Sequence, residues 1–152
     1  MRRPYVISLI VVGVVVFLAI SALLARALTL NGDEQSAITS LAQAEASGNP
    51  AAVVAAIDGC RGTAACEERA NEVAAALRHP GTVSVIDFSP SSGFTLGPTL
   101  GTARVAWIAG GSLPRVQCVL VRNSGNVLEG FQVHLLKISV KIPGGDNCPK
   151  SY

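Results

Sequence analysis

The chain has 152 residues, of which 49% are hydrophobic and 5% aromatic, which allows one domain with one modest core. That core must consist mainly of Ala, Val, Leu and Ile around four large side chains, Phe88, Phe94, Trp107 and Phe131. The formal net charge is +2, but three Arg flank an apolar N-terminal run, and from Leu28 onward nine basic residues face ten acidic ones. Such a near-neutral domain lacks the basic face that neutralises phosphates, so nucleic acid is excluded as an expected partner.

A charge-free apolar run, Tyr5–Ala25, opens the chain. As an α-helix its 21 residues would extend about 31 Å, which matches the roughly 30 Å hydrocarbon core of a bilayer. The run therefore predicts a transmembrane helix, with the lipid bilayer as a partner of the chain.

The charges that flank this run predict its orientation. Arg2 and Arg3 precede it, whereas Arg26 is soon followed by Asp33 and Glu34. Because positive residues are retained in the cytoplasm, we expect a cytoplasmic N-terminus and an extracytoplasmic domain. The predicted organisation is a cytoplasmic segment 1–4, a membrane helix 5–25, a linker 26–32, a domain 33–143 and a tail 144–152.

A cleaved signal peptide is the alternative to a membrane anchor. Ala25-Arg26-Ala27 has the small-x-small form that signal peptidase recognises, and cleavage after Ala27 would release a secreted domain. The apolar run exceeds the usual core of such a peptide, about 7–15 residues, and this favours retention in the cell membrane.

The exported part contains four cysteines, and an even number in a domain of this size predicts two disulfides. Cys60 and Cys66 lie close together across a predicted turn, so a local bridge between them is easy. That pairing leaves Cys118 for Cys148 in the tail, although four cysteines allow three pairings. Zinc would require short C-x2-C spacings, which are absent, so we expect neither a metal nor a cofactor.

Three short helices are predicted after the anchor. The first has Asp33 and Glu34 in its first turn, followed at helical spacing by Ile38, Leu41, Ala42 and Glu45. The second runs from Pro50 to Asp58 with Asn49 as its N-cap, and the third from about Thr63 to Arg78.

From Thr82 the apolar pattern changes to a period of two, which predicts strands. The predicted strands are Thr82–Phe88 with a continuation at Phe94–Leu96, Thr102–Ala109, Arg115–Arg122 and Val127–Ile142. The polar sequence 123–126 is interpreted as a hairpin turn. In the last strand the apolar parity changes at Leu135–Leu136, and this predicts a β-bulge.

Short helices followed by an antiparallel meander predict an α+β fold, with about three helices packed on a curved sheet of about four strands. With the anchor, the helix pair GNPAAVVAAIDGC at 48–60 and the bulged last strand, this layout resembles the NTF2-like (cystatin-like) group. It is most similar to single-pass bacterial members that carry such a domain outside the membrane. The resemblance covers Asp33–Pro143 and implies a cone with a cavity between helices and sheet.

Few polar residues are placed to carry chemistry. Asp58 and Asp87 are the carboxylates that adjoin apolar sequence, and Asp58 is interpreted as a helix-end residue. The resemblance implies that enzymes of this fold place an acid or an Asp/His pair in the cone, a role that Asp87 and His134 could fill. Strand alternation turns His134 away from the apolar face, so we expect a solvated imidazole that shares no pocket with Asp87.

Three basic residues on neighbouring predicted strands, Arg104, Arg115 and Arg122, are interpreted as a solvated stripe on the outer face of the sheet. Gly93, Gly97 and Gly101 are interpreted as turn glycines, because strands rather than a helix follow them.

These observations favour a non-enzymatic, membrane-tethered interaction or accessory module with a protein partner and no catalytic residues. One alternative is a binder of a small apolar molecule in the helix-sheet cavity, and another is a small enzyme that uses Asp87 or His134. A filled core would favour the first role, a dry apolar pocket the second, and an inward-facing polar pair the third.

Overall fold

The structure is a computed structural model that describes residues 3–92, 97–126 and 130–152. The fold is α+β, as predicted, and the chain divides into two compact units, Met1–Gly32 and Asp33–Tyr152. The elements are α1 (Arg3–Ser47), α2 (Pro50–Ala56), α3 (Ala64–Leu77), β1 (Val83–Ser89), β2 (Thr99–Ala109), β3 (Arg115–Asn126) and β4 (Gly130–Ile138).

The first unit contains the apolar part of α1. Its most apolar 18-residue stretch has a mean hydropathy of 3.0 and is not buried, so the helix is long and apolar enough to cross a membrane. Residues 26–32, predicted as a linker, are helical, and the predicted first short helix is the C-terminal part of the same α1. The helix continues through residues 26–32 because no proline interrupts the chain between Tyr5 and Ser47, and because Gly32 alone does not end a helix.

The second unit places α2 and α3 as predicted, with small differences at the ends. Asn49 caps α2, because its side-chain oxygen accepts a hydrogen bond from the Ala52 N–H at 3.2 Å. The helix ends at Ala56, and the following loop has Gly59 and Gly62 at positive φ, 69° and 80°.

The four strands form one antiparallel sheet in the order β1-β2-β3-β4, so β1 and β4 are its edges. In β4 the predicted bulge is confirmed: Leu120 pairs with Lys137 and Val121 with Leu135, which leaves Leu136 as the extra residue. A second irregularity, which the sequence analysis did not predict, lies between Val85 and Asp87 in β1.

The predicted hairpin turn at 123–126 is wrong. These residues extend β3 and pair with β4 as far as the Asn126–Gly130 pair. The polar Asn-Ser-Gly-Asn sequence is typical of turns, but here Asn123 is buried in the sheet, so tertiary context overrides the local signal. Gly93, the predicted strand segment Phe94–Leu96 and the predicted strand start 127–129 lie outside the described residues.

The core lies between the three helices of the second unit and one face of the sheet. Trp107 is fully buried at its centre, as the alternation in its strand predicts. The helices contribute mainly aliphatic side chains to the core, among them Ile38, Leu41, Val53, Val73 and Leu77. The opposite face of the sheet is called the outer face below.

The C-terminal tail crosses this outer face and is attached at three points. Cys148 is bonded to Cys118 on β3, Arg104 donates a hydrogen bond to the Gly144 carbonyl, and the Tyr152 hydroxyl donates to Thr102 Oγ1 at 3.3 Å. The tail therefore closes part of the outer face against solvent.

Candidate functional site

Two grooves lie beside the edge strand β4. The large groove has a volume of about 590 Å³ and lies between the loop that follows α2, the start of α3 and the bulge of β4. The small groove, of about 240 Å³, lies between the C-terminal part of α1, the end of α2 and β4. Asp58 lines both grooves, and so the loop that carries it separates them.

The disulfides hold the walls of the large groove. Cys60 and Cys66, with Cα atoms 5.2 Å apart, close the loop at its rim, and Glu67 Oε1 accepts a hydrogen bond from Gly62 N–H inside that loop. Cys118 and Cys148, with Cα atoms 5.7 Å apart, hold the tail whose Tyr152 lines the same groove. These are the two pairs that the sequence predicts.

His134 is the centre of a hydrogen-bonded cluster with Asp58 and Ser124. Its Nδ1 lies 2.5 Å from Asp58 Oδ2 and its Nε2 lies 3.0 Å from Ser124 Oγ. The imidazole is 29% exposed, so His134 is half-buried and hydrogen-bonded on both ring nitrogens rather than fully solvated.

The cluster forms because two different elements meet at the edge of the sheet. His134 does point to the outer face, in register with Arg122, as alternation predicts. Asp58, however, is more than a helix-end residue, since it lies beyond α2 in the loop that runs along β4. Its backbone N–H donates to the Leu135 carbonyl at 2.7 Å, which brings the Asp58 carboxylate beside the imidazole.

Asp87 lies far from this cluster. It points to the outer face of β1, where its carboxylate is 3.5 Å from Arg104, and the Asp87 side chain is 61% exposed. Three strand spacings of about 4.8 Å separate β1 from β4, which is about 14 Å across the sheet. Asp87 also lies level with Val116 and His134 level with Arg122, about 20 Å further along the strands. The two polar candidates therefore form no common site, in agreement with the sequence-based expectation.

The predicted basic stripe does not form. Arg115 pairs in register with Trp107, and its guanidinium lies over the indole ring, 5.3 Å from the centroid. Arg104 and Arg122 lie on the other face, because their register partners, Cys118 and Leu100, alternate with the core residues. The sequence alone does not show which of these Arg side chains share a face of the sheet, because that depends on the register between the strands.

Two buried carboxyl groups on α1 were missed by the sequence analysis. Glu34 accepts two hydrogen bonds from Ser91, one from its backbone N–H at 2.7 Å and one from its hydroxyl at 2.8 Å. Glu34 was expected in the first turn of a short helix, but it is buried within a longer helix. The helical spacing of 34, 38, 41 and 45 is the signal that places both acids on the apolar face.

Glu45 belongs to a polar network inside the core. Its Oε1 accepts a hydrogen bond from Gln117 Nε2 at 3.3 Å, and Gln117 Oε1 accepts one from the indole N–H of Trp107 at 2.7 Å. Burial raises the pKa of Glu45 to about 8, against the opposing effect of the Gln117 hydrogen bond. The Glu45 carboxyl is therefore protonated near neutral pH.

No protein-family model, curated protein or solved structure matches this chain. The functional assignment consequently depends on the geometry of the chain itself, and the resemblance to the NTF2-like group stays a prediction from the sequence.

Proposed function

We propose that this chain is a membrane-tethered, extracytoplasmic interaction module that binds a protein partner in the large groove. The observation that carries the proposal is the continuous buried core between the helices and one face of the sheet. A domain of this architecture that binds a small molecule or a substrate in its cone needs an open space there. Here Trp107, Val105 and Val119 are at most 1% exposed and lie within the continuous core cluster.

The polar groups inside the core support a structural role for it. Gln117 bonds Trp107, Glu45 and the Ser139 carbonyl at the same time, so its amide is held inside the core. Such a satisfied amide specifies the packing of the helices on the sheet. This arrangement favours the interaction module over a binder of a small apolar molecule in the cone.

The anchor and the disulfides support an extracytoplasmic location. A charge-free apolar helix near the N-terminus suits a membrane span, and Arg2 and Arg3 before it favour a cytoplasmic N-terminus. Disulfides persist mainly in oxidising compartments, which suits two cysteine pairs on the far side of the membrane.

The large groove supports a protein partner. Its floor contains the apolar Leu136 at the β4 bulge, while Glu68, Lys137 and the Arg69–Glu72 ion pair (2.6 Å) surround it. An apolar centre with a charged rim is the composition of many protein interfaces. The groove also lies along an edge strand, the part of a sheet that associates most readily with another chain.

Site-specific photo-crosslinking of the full chain in the membranes of its own cell tests this proposal. A photoreactive amino acid at position 68 or 137 lies at the large groove, and one at position 86 is the matched control on the opposite edge of the sheet. Ile86 is 52% exposed, and positions 68 and 137 are exposed as well. We expect positions 68 and 137 to give the same discrete crosslinked protein, and position 86 not to give it.

Crosslinks of equal yield from all three positions, or none from the groove positions, would contradict the proposal. A groove-specific crosslink to a lipid rather than to a protein would replace the protein partner by a lipid one.

A further inference from the structure

The cluster at the β4 edge has the connectivity that nucleophilic catalysis requires. Asp58 bonds one nitrogen of His134, and the other nitrogen of the same ring lies 3.0 Å from the Ser124 hydroxyl. We propose that Ser124, His134 and Asp58 form a nucleophilic triad that hydrolyses carboxylic esters. This activity goes beyond the proposed interaction role and does not depend on it.

The order of the hydrogen bonds assigns a role to each group. The Asp58 carboxylate accepts a hydrogen bond from the Nδ1–H, with the two heavy atoms 2.5 Å apart, and thereby favours the imidazole tautomer whose Nε2 carries a free lone pair. That lone pair faces the Ser124 hydroxyl at a distance suited to proton transfer. Ser124 is therefore the nucleophile, His134 the general base and Asp58 the positioning residue.

The three groups are held by regular structure. Ser124 pairs with Gln132, two residues before His134, so Ser124 and His134 share the outer face as diagonal neighbours on β3 and β4. Asp58 is fixed by its backbone hydrogen bond to Leu135 and by the disulfide that begins at Cys60. This arrangement keeps the reacting atoms in place without a ligand.

The small groove provides space beside the imidazole. It is lined by His134 and Asp58 together with the apolar side chains of Ala37, Ala56 and Val133. Its volume is about 240 Å³, and its lining includes the imidazole and Asp58 but not Ser124. The imidazole is 29% exposed and Ser124 is half-buried, so a surface-bound ester can approach both.

The reaction balances without a cofactor or an oxidant. Ser124 Oγ forms a bond to the ester carbonyl carbon while its proton passes to His134 Nε2. The bond from that carbon to the alcohol oxygen then breaks, and His134 returns the proton to the leaving alcohol. Water attacks the acyl-serine by the same steps in reverse, which releases the carboxylic acid and regenerates the Ser124 hydroxyl.

The test uses a fluorophosphonate probe on the full chain in lipid nanodiscs, with the site of modification located by mass spectrometry. In the wild-type chain we expect phosphonylation of Ser124 with loss of fluoride. Position 124 should not be modified in Ser124→Ala, and the rate of Ser124 phosphonylation should be at least about 100-fold lower in His134→Gln. Ser89→Ala is the matched control, because Ser89 is an exposed serine of β1 on the same sheet. It should leave the modification of Ser124 unchanged.

Asp58→Asn tests the positioning role with a readout that folding alone does not move. We expect a rate of Ser124 modification at least about 10-fold lower, together with a change in the ¹⁵N shifts of His134 that reports a different imidazole tautomer. Hydrolysis of p-nitrophenyl acetate should fall in the same order among the variants.

The proposal is overturned if Ser124 is not modified in the wild-type chain, or if His134→Gln is modified at the wild-type rate. Unchanged ¹⁵N shifts in Asp58→Asn would remove Asp58 from the triad. The crosslinking experiment on the large groove is unaffected by any of these outcomes, so the two proposals fail separately.

Discussion

Where α1 meets Gln117, the helix contributes a carboxyl group to an otherwise mostly apolar core. Glu45 has no exposed surface, and among residues 3–92, 97–126 and 130–152 its Oε2 has no hydrogen-bond partner. Ionisation there would place a charge without a counter-ion in a low-dielectric environment, which is why the pKa of Glu45 rises to about 8. The folded chain therefore holds the proton of Glu45 to a higher pH than an exposed glutamic acid would.

Removal of this carboxyl should change the pH dependence of stability. Between the ordinary pKa of 4.5 and the folded-state pKa of about 8, the folded chain binds one proton more than the unfolded chain does. The free energy of unfolding therefore falls with rising pH in this window, by up to about 1.4 kcal/mol per pH unit. In Glu45→Gln this contribution should disappear, so the variant should gain stability relative to wild type from about pH 5 to about pH 8.

Urea unfolding followed by the fluorescence of Trp107, the single Trp of the chain, measures this effect directly. Glu68→Gln is the control, because Glu68 is an exposed carboxyl on α3. If the stability difference between wild type and Glu45→Gln is the same at every pH, then Glu45 does not hold its proton in the folded state.

Glu34 is buried like Glu45, but both of its carboxylate oxygens accept hydrogen bonds from Ser91. That contact brings the Ser91 carbonyl against Gly101 of β2, where a Cβ atom would lie too close to it to be accommodated without a backbone shift. Gly101 was interpreted as a turn glycine. Glycine is needed at this position of β2 because the backbone at Ser91 approaches it closely.

At the scale of the elements, the β4 bulge decides which residues near the end of the sheet are buried. Leu136 is the extra residue, so Leu135 and Ile138 both face the core while Lys137 points to the outer face. Without a bulge, alternation from Leu135 would bury position 137 and expose position 138.

Alanine substitutions at these neighbouring positions distinguish the two registers. Ile138→Ala should lower the free energy of unfolding by about 2–5 kcal/mol, because a buried side chain is replaced by a cavity. Lys137→Ala should change it by less than about 0.5 kcal/mol, as is usual for a surface position. Urea unfolding of both variants gives the comparison, and the reverse order of effects would show a regular strand.

Local signals predicted most of the elements, although not the extension of β3 over 123–126, whereas the candidate site depends on contacts between distant residues. Asn49-Pro50 specifies a helix start, and the parity change at Leu135–Leu136 specifies a bulge, because each depends only on neighbouring residues. Asp58 meets His134 across 76 residues, and Glu45 meets Gln117 across 72. Those pairs follow from strand register and loop path, which no spacing in the sequence encodes.

At the scale of the molecule, the two units differ in how far their apolar side chains are exposed to solvent. In Met1–Gly32 the large apolar side chains that the structure describes are mostly exposed, from Tyr5 at 78% to Leu24 at 58%. In Asp33–Tyr152 the aliphatic side chains of the core are buried, and the tail covers part of the outer face. The helix of the first unit is therefore long and apolar enough to cross a membrane, whereas the second unit has a core of its own.

We accordingly expect the chain to remain in the membrane with its C-terminal unit outside. A reporter that is active only outside the cytoplasm, fused after Tyr152, should be active, and the fusion should stay in the membrane pellet after alkaline carbonate extraction. Mass spectrometry should find the Tyr5–Ala25 segment in the same chain. Arg2→Ala/Arg3→Ala should lower the active fraction, because the charge difference across the span decreases. A soluble chain that begins at Leu28 would establish cleavage after Ala27, and a reporter active only in the cytoplasm would reverse the orientation.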